Sequence, residues 1–274
     1  MAKPFVKWIG GKGRSLGHLL PLFPNEITNY HEPFVGGGAL FLSMADRIKG
    51  QTFLADANGK LIVVWEEVWT HPEKVIAFLT MMEAEDSKEF FLAMRRKYNL
   101  GTHAFPMSGE FAAAFIYLNR ATYNGLYREN LSGGFNAPFS AARKIGKGIC
   151  LPDRIWGASV AMTQCNELYL IGMDFRETLK LVVAGDVVYL DPPYDGTYAQ
   201  YTTPKFTEDD QRDLATIAEV LADANVTVIA SNADTPLIRE LYKDFDIYET
   251  QRVNSVNSNA EDRAPKKDLT ICSF

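Results

Sequence analysis

Residues 187–196 read VVYLDPPYDG. Four apolar residues run into an aspartate, two prolines and a tyrosine, so a buried strand stops abruptly with polar and aromatic groups at its mouth. Four other stretches end alike: TNYHEPFVGGGAL (28–40), TFLADANG (52–59), ELYLIGMDF (167–175) and VTVIASNAD (226–234). Helical patterns lie between several of them. Gly37 to Arg47 opens a helix after the glycines, and Glu208 to Asn225 carries an apolar stripe at 214, 217, 218 and 221. Thr207 with Asp210 and Gln211 is a helix-start signal, as is Thr235 with Pro236 before a helix through Tyr242. Strands alternating with helices predict a mostly parallel α/β sheet covered on both faces. Ligands of such sheets bind beyond the carboxyl ends of the strands, so these loops are expected to converge on one site.

The stretch from about Asn58 to Ile145 is different. KVIAFLTMMEAEDSKEFFLAMRRKY and GEFAAAFIYLNRAT are long helical patterns, followed by the loop-rich YNGLYRENLSGGFNAPFS. With α/β pattern on both sides, it reads as an inserted helical subdomain.

Composition excludes several classes. At 274 residues, 47% hydrophobic and 23% charged, the chain is ordinary globular material. No run approaches the ~18 apolar residues of a membrane span, and no secretory h-region follows the basic start. Cys150, Cys165 and Cys272 are odd in number and widely spaced, which favours reduced thiols and a cytosolic setting. The histidines at 18, 31, 71 and 103 have no metal-ligand spacing, so no metal is expected. The net charge of −6 argues against a protein that coats nucleic acid. Basic residues nevertheless cluster, as Lys3, Lys7, Lys12 and Arg14, and as Arg120, Arg128, Arg143, Lys144, Lys147 and Arg154. Such patches on an acidic body suit a protein that meets a polyanion through one face, or are solvated charge clustered by chance.

The strand-end loops carry the chemistry. The glycines at 36–38 allow close backbone approach, as at a nucleoside site or in a tight turn; no phosphate-loop pattern is present. Asp56, about twenty residues on, suits both ribose hydroxyls, or an Asp-Ala-Asn-Gly turn. Asp174 with Phe175 suits an adenine ring, or a helix cap beside a core phenylalanine. Asp191-Pro192-Pro193-Tyr194 is the most specific element. The prolines stiffen the loop and leave their carbonyls to point into the site, the aspartate accepts hydrogen bonds, and the tyrosine offers a stacking face. Two acceptors above a ring suit the exocyclic amine of a planar base.

With these residues in view, the sequence resembles the Dam-like family of S-adenosylmethionine-dependent DNA adenine-N6 methyltransferases (D12 class, with a DPPY motif). The resemblance covers nearly the whole chain and rests on KWIGGKG (7–13), EPFVGGGALF (32–41), LAD (54–56), LNRATYNGLYRENLSGGFNAPF (118–139) and YLDPPY (189–194), in the family's order. It implies a Rossmann-like methyltransferase sheet from residues 1–57 and 145–274, with an inserted helical DNA-recognition subdomain at 58–144. It implies that Trp8, Gly10, Gly11, Lys12, Phe34, Gly36, Asp56, Asp174, Phe175 and Asp191 line the S-adenosyl-L-methionine site. Asp191, Pro192, Pro193 and Tyr194 would then form the target-base site. Lys7, Tyr123, Asn124, Leu126, Arg128 and Pro138 match positions the family uses at DNA.

The implied partner is double-stranded DNA, met by a cytoplasmic monomer that flips an adenine out of the helix, with GATC as the first expected sequence. The segment NSVNSNAEDRAPKKD is more acidic than in the family, although Arg263, Lys266 and Lys267 remain as phosphate candidates in the expected 254–268 loop. Carbon-5 cytosine methylation is disfavoured, because no cysteine follows a proline. An amino-methyltransferase acting on another base or RNA, and a DNA-binding protein with a vestigial cofactor site, are the alternatives.

Overall fold

The structure, a computed structural model, describes residues 1–196, 206–252 and 266–274. Seven strands form one sheet: β1 (Tyr30–Glu32), β2 (Gln51–Ala55), β3 (Glu167–Ile171), β4 (Val187–Leu190), β5 (Thr227–Ala233), β6 (Asp246–Arg252) and β7 (Lys266–Cys272), in the order β3-β2-β1-β4-β5-β7-β6. The first five are parallel, and β7 runs antiparallel between β5 and β6. From β1 the chain moves outward to β2 and β3, and it returns to lay β4 on the other side of β1. The crevice beyond the carboxyl ends of β1 and β4 is therefore the topological switch point.

Strand β4 is apolar throughout because both of its faces are covered. Val187 and Tyr189 enter one core cluster, while Val188 and Leu190 enter the other. That is the period-2 alternation of a strand between two helical layers. The helices are α1 (Leu16–Leu19), α2 (Phe41–Met44), α3 (Gly59–Thr70), α4 (Pro72–Ala84), α5 (Lys88–Asn99), α6 (Ser108–Ala121), α7 (Pro152–Thr163), α8 (Phe175–Thr178), α9 (Glu208–Asp223) and α10 (Pro236–Leu241). The cap signals act as read: Thr207 and Asp210 form a reciprocal capping box on α9, and the Thr235 hydroxyl accepts from the Ile238 N–H of α10. The helix expected from Gly37 begins only at Phe41, after the glycine turn.

Helices α4 and α5 pack on α6, which is buried along nearly its whole length. Helix α3, the first of the helical stretch, also packs against β3 and α7 of the sheet layer. One hydrophobic cluster consequently runs from Phe5 through Trp65 and Phe115 to Tyr189.

The hairpin of β6 and β7, and helix α7, had no sequence counterpart. DIYETQR and KKDLTIC lack the unbroken apolar run of β4, although Leu269, Ile271 and Cys272 of β7 are buried. The expected 254–268 loop is corrected at one end, since Lys266 and Lys267 belong to β7 and the Lys267 ammonium pairs with Glu249 at 2.5 Å. Arg263 lies outside the described residues.

Candidate active site and recognition turn

Asp191 is the first residue after β4, and both of its carboxylate oxygens accept from the Lys12 ammonium, Oδ2 at 2.6 Å. Lys12 is 7% exposed, donates also to the Gly10 carbonyl at 2.9 Å, and stands 4.9 Å from the centre of the Tyr194 ring. The pair joins the amino-terminal segment to the end of β4, 179 residues apart in sequence. Lys12 and Asp191, both read from the resemblance as lining the cofactor site, are thus brought together.

The proline loop corrects one expectation. Pro193 does not leave its carbonyl to the site: that oxygen accepts from Gln211 Nε2 at 2.8 Å, and Gln211 is in turn held by Asn232 at 3.0 Å. Both amides are almost fully buried. Asn232 also accepts from the Asp195 backbone N–H, and Asp195 accepts from the Thr235 hydroxyl. A ring-locked φ stiffens Pro192 and Pro193, and this chain of side chains from α9 and β5 fixes the loop's direction.

Beneath Asp191 lies a buried acid that sequence reasoning passed over. Glu32 ends β1 at 3% exposure and accepts from the Tyr30 hydroxyl at 2.8 Å. Burial, opposed by the Tyr30 bond and reinforced by the Asp191 charge, pushes its carboxyl up to about 8. Beside it on β4, the Tyr189 hydroxyl pairs with the Ser231 hydroxyl at 2.8 Å. The one available signal was a glutamate at the end of a buried strand.

The glycine loop and Asp56 meet as expected. Asp56 Oδ2 accepts from the Gly36 N–H at 3.1 Å, while Oδ1 accepts from the Asn58 N–H at 2.9 Å. Asp56 thus closes the turn before α3 and anchors the loop together. Desolvation raises its carboxyl to about 6 against those two bonds. Gly36 has φ +48°, and a Cβ there would lie 2.5 Å from the Trp8 ring, so only glycine fits beneath the indole. Phe34 packs 5.5 Å from Phe175 and 5.8 Å from Phe206. Asp174 accepts from the Arg176 N–H as the cap of α8 and pairs with its guanidinium, and Phe175 is buried.

The DNA-contact candidates gather on the turn after α6. Tyr123 is 59% exposed, and Pro138 is exposed as well. Leu126 is half-buried against the core. Arg128 donates from Nε to Asn136 Oδ1 at 2.7 Å and from Nη2 to the Asn136 carbonyl at 3.1 Å. Asn124 begins no helix of its own; its backbone belongs to the short 3-10 turn Tyr123–Gly125. Lys7 lies against this turn, its ammonium disfavoured first by burial and then by Arg120, Arg143 and Arg154. Part of the basic cluster read from sequence has an internal task. Arg120 donates to the carbonyls of Phe5 and Gly148, Arg154 to that of Pro4, and Arg143 pairs with buried Asp86. Among the described residues, no group of His, Cys, Asp and Glu has the makings of a metal site, and no helix is long and apolar enough to cross a membrane.

Comparison with known proteins identifies the family. The family model for D12 class N6 adenine-specific DNA methyltransferases matches residues 8–256. The Type II methyltransferase M1.LlaDCHI of Lactococcus lactis subsp. cremoris is 32% identical, over 99% of this chain and 95% of the relative. The retron Ec67 DNA adenine methylase of Escherichia coli is 33% identical, over 98% and 90%. The DNA adenine methylase of Haemophilus influenzae is 30% identical, over 97% and 92%. The chain, with its acidic Pro-Pro-Tyr loop at the switch point of the sheet, belongs to the D12 class of N6 adenine-specific DNA methyltransferases.

Proposed function

We propose that this DNA adenine methyltransferase takes its methyl group from S-adenosyl-L-methionine and acts on an adenine flipped out of duplex DNA, with GATC as the target sequence. The observation that carries the reading is the convergence of Asp191, Tyr194 and Lys12 in the crevice beside the Gly36–Asp56 loop. The donor set suits the cofactor. Asp56 keeps acceptor capacity for ribose hydroxyls beyond its two backbone bonds, Phe34 and Phe175 supply apolar walls for a ring, and the Trp8 indole covers the glycine loop. Gly10, Gly11 and Phe34 line the same side, and Asp174 stands at its rim. Bound there, S-adenosyl-L-methionine supplies a methyl group already activated by a positive sulfur.

The chain's task is to prepare the amine. Adenine N6 is a poor nucleophile because its lone pair is delocalised into the ring. Asp191 and the Pro192 carbonyl accept from its two N–H groups and favour a tetrahedral nitrogen, while Tyr194 stacks the base. Preorganised acceptors face the positive charge that develops on N6, and alignment alone is worth about 7–11 kcal/mol of barrier. The bonds from Lys12 to both Asp191 oxygens orient that carboxylate for the base. Flipping costs a few kcal/mol, recovered in the pocket.

Recognition belongs, in this reading, to residues 58–144 set on the sheet of 1–57 and 145–274. Exposed Tyr123 fills the gap in the stack, and Asn124, Leu126, Pro138 and Arg128 meet base edges. Lys7 adds a charge within a field of three arginines. Methylation of a random-sequence duplex library with labelled cofactor, followed by mapping of the modified adenines, tests all of this. Modification at N6 within GATC is the expected result; adenines modified in another sequence overturn the GATC assignment, and binding without transfer overturns the catalytic one.

A further inference from the structure

One buried side chain ties the amino-terminal arm to the turn after α6. Asn119, 0% exposed, accepts from the Lys7 N–H through Oδ1 at 2.9 Å and donates through Nδ2 to the Lys7 carbonyl at 2.8 Å. The same Nδ2 donates to the Gly125 carbonyl at 2.9 Å. Its amide thus serves Lys7 as a neighbouring strand does, and both of its N–H donors are used within the protein. Arm and turn are also in direct contact. Gly125 has φ +71°, and a Cβ there would lie 2.1 Å from Lys7 Cβ.

The arm continues from this tie into the site. Trp8 stacks on Tyr127, 5.6 Å away, and covers Gly36 with its other edge. Four residues on, Lys12 holds Asp191. The turn continues the other way through Leu126 to Arg128. Thr122 stiffens it, donating to the carbonyls of Asn119 and Leu126. The Pro4 and Phe5 carbonyls are held by Arg154 and Arg120, and neither of those bonds reaches the turn. Asn119 bonds both arm and turn.

We infer that Asn119 is a positioning residue for sequence discrimination: it sets the register of the turn carrying Tyr123, Leu126 and Arg128 against the arm carrying Lys7, Trp8 and Lys12. This rests on the reading that those residues face DNA and the target base. Loss of the tie lets the turn shift relative to Asp191, so near-match sequences are accepted more readily. Asn119 itself touches neither substrate nor cofactor.

The test uses the full chain and a random-sequence duplex library. Asn119→Ala removes the tie, and Gly125→Ala wedges Lys7 off the turn while leaving the amide in place. In both, the ratio of kcat/KM for the preferred sequence over its single-base variants is expected to fall at least tenfold. Affinity for S-adenosylhomocysteine, by titration calorimetry, is expected to stay within threefold. A merely structural role does not move that ratio, because an unfolded fraction scales every rate together. If Asn119→Ala does not fold, Gly125→Ala decides alone. Discrimination within twofold of the unsubstituted chain in the folded variants overturns the inference. Absence of any sequence preference in the unsubstituted chain instead brings down the reading of the turn, and this inference with it.

Discussion

The mouth of β4 and the turn at 122–139 are built by opposite means. Asp191 follows a strand paired on both sides, to β1 and β5, so its place is a consequence of the sheet. The turn has no strand beneath it. It is closed by isolated bridges, Thr122 to Phe139 and Glu129 to Phe135, and by side-chain amides: Asn119 on Gly125, Asn99 on Phe135, Asn136 on Arg128. In the proposed reading, chemistry stands on the strand-borne element and sequence reading on a segment closed by side chains.

Asp191→Ala puts the largest strain on this contrast. Methyl transfer is expected to fall at least about 10³-fold, since an acceptor facing developing charge is lost. Duplex affinity, by fluorescence anisotropy, stays the same or rises, because a negative charge leaves a basic surface. A parallel loss of binding would show that mouth and turn are not separable.

The same contrast decides what the sequence alone discloses. Val187 to Leu190, an unbroken apolar run ending in Asp-Pro-Pro-Tyr, declares both its burial and its mouth. Strand periodicity and proline stiffness are local properties. Gln211 reads only as part of a helix start and Asn232 only as part of a strand end, because their bonds depend on α9 and β5 meeting beside Pro193. Lys12 was read from the resemblance as lining the cofactor site; its contact with Asp191, 179 residues away in sequence, had no local signal. Arg120 and Arg154 read as a basic patch, yet they hold backbone carbonyls of the arm. The turn's candidate residues came from family resemblance; no periodicity marks a surface loop.

Glu32 probes the floor of the mouth. Its folded carboxyl, near 8, lies far above the 4.5 of an unperturbed glutamate. Between these values the folded chain holds a proton that the unfolded chain has lost. The contribution is thus fully present below pH 4.5 and is lost as pH rises through 8. The groups facing Glu32 are the Tyr30 hydroxyl, the Phe41 backbone, Lys12 and Asp191. Glu32→Gln keeps an acceptor for Tyr30 and removes the titration. It should flatten the fall in unfolding free energy between pH 5 and 8.5 by on the order of 2–4 kcal/mol. Urea denaturation at both pH values measures this, and an unchanged slope assigns the effect to other groups.

Arg128→Ala tests the turn in the opposite sense. If its guanidinium reads a base edge, discrimination at one position of the site drops by about 1–3 kcal/mol while the rate on the best sequence is little changed. If affinity instead weakens evenly across the library, with a shallower salt dependence, Arg128 meets a phosphate.

Asp56 gives the smallest expected effect and locates the cofactor loop relative to both regions. Its carboxyl, raised from 3.8 to about 6, costs folding stability as pH rises through that window, because charging it removes a proton held in the folded state. Cofactor binding has the reverse sign. Ribose hydroxyls donate to the anion, and a protonated Asp56 must also keep the Gly36 and Asn58 N–H groups satisfied. Affinity for S-adenosylhomocysteine should therefore weaken by roughly tenfold between pH 7 and pH 5, the limit being one decade per unit below the folded value. Glu32 remains largely protonated across that range, so its titration does not intrude. Asp56→Asn binds more weakly at pH 7 and loses the slope. A slope that survives in Asp56→Asn moves the titrating group, and with it the ribose, away from the loop that Gly36 shares with Trp8.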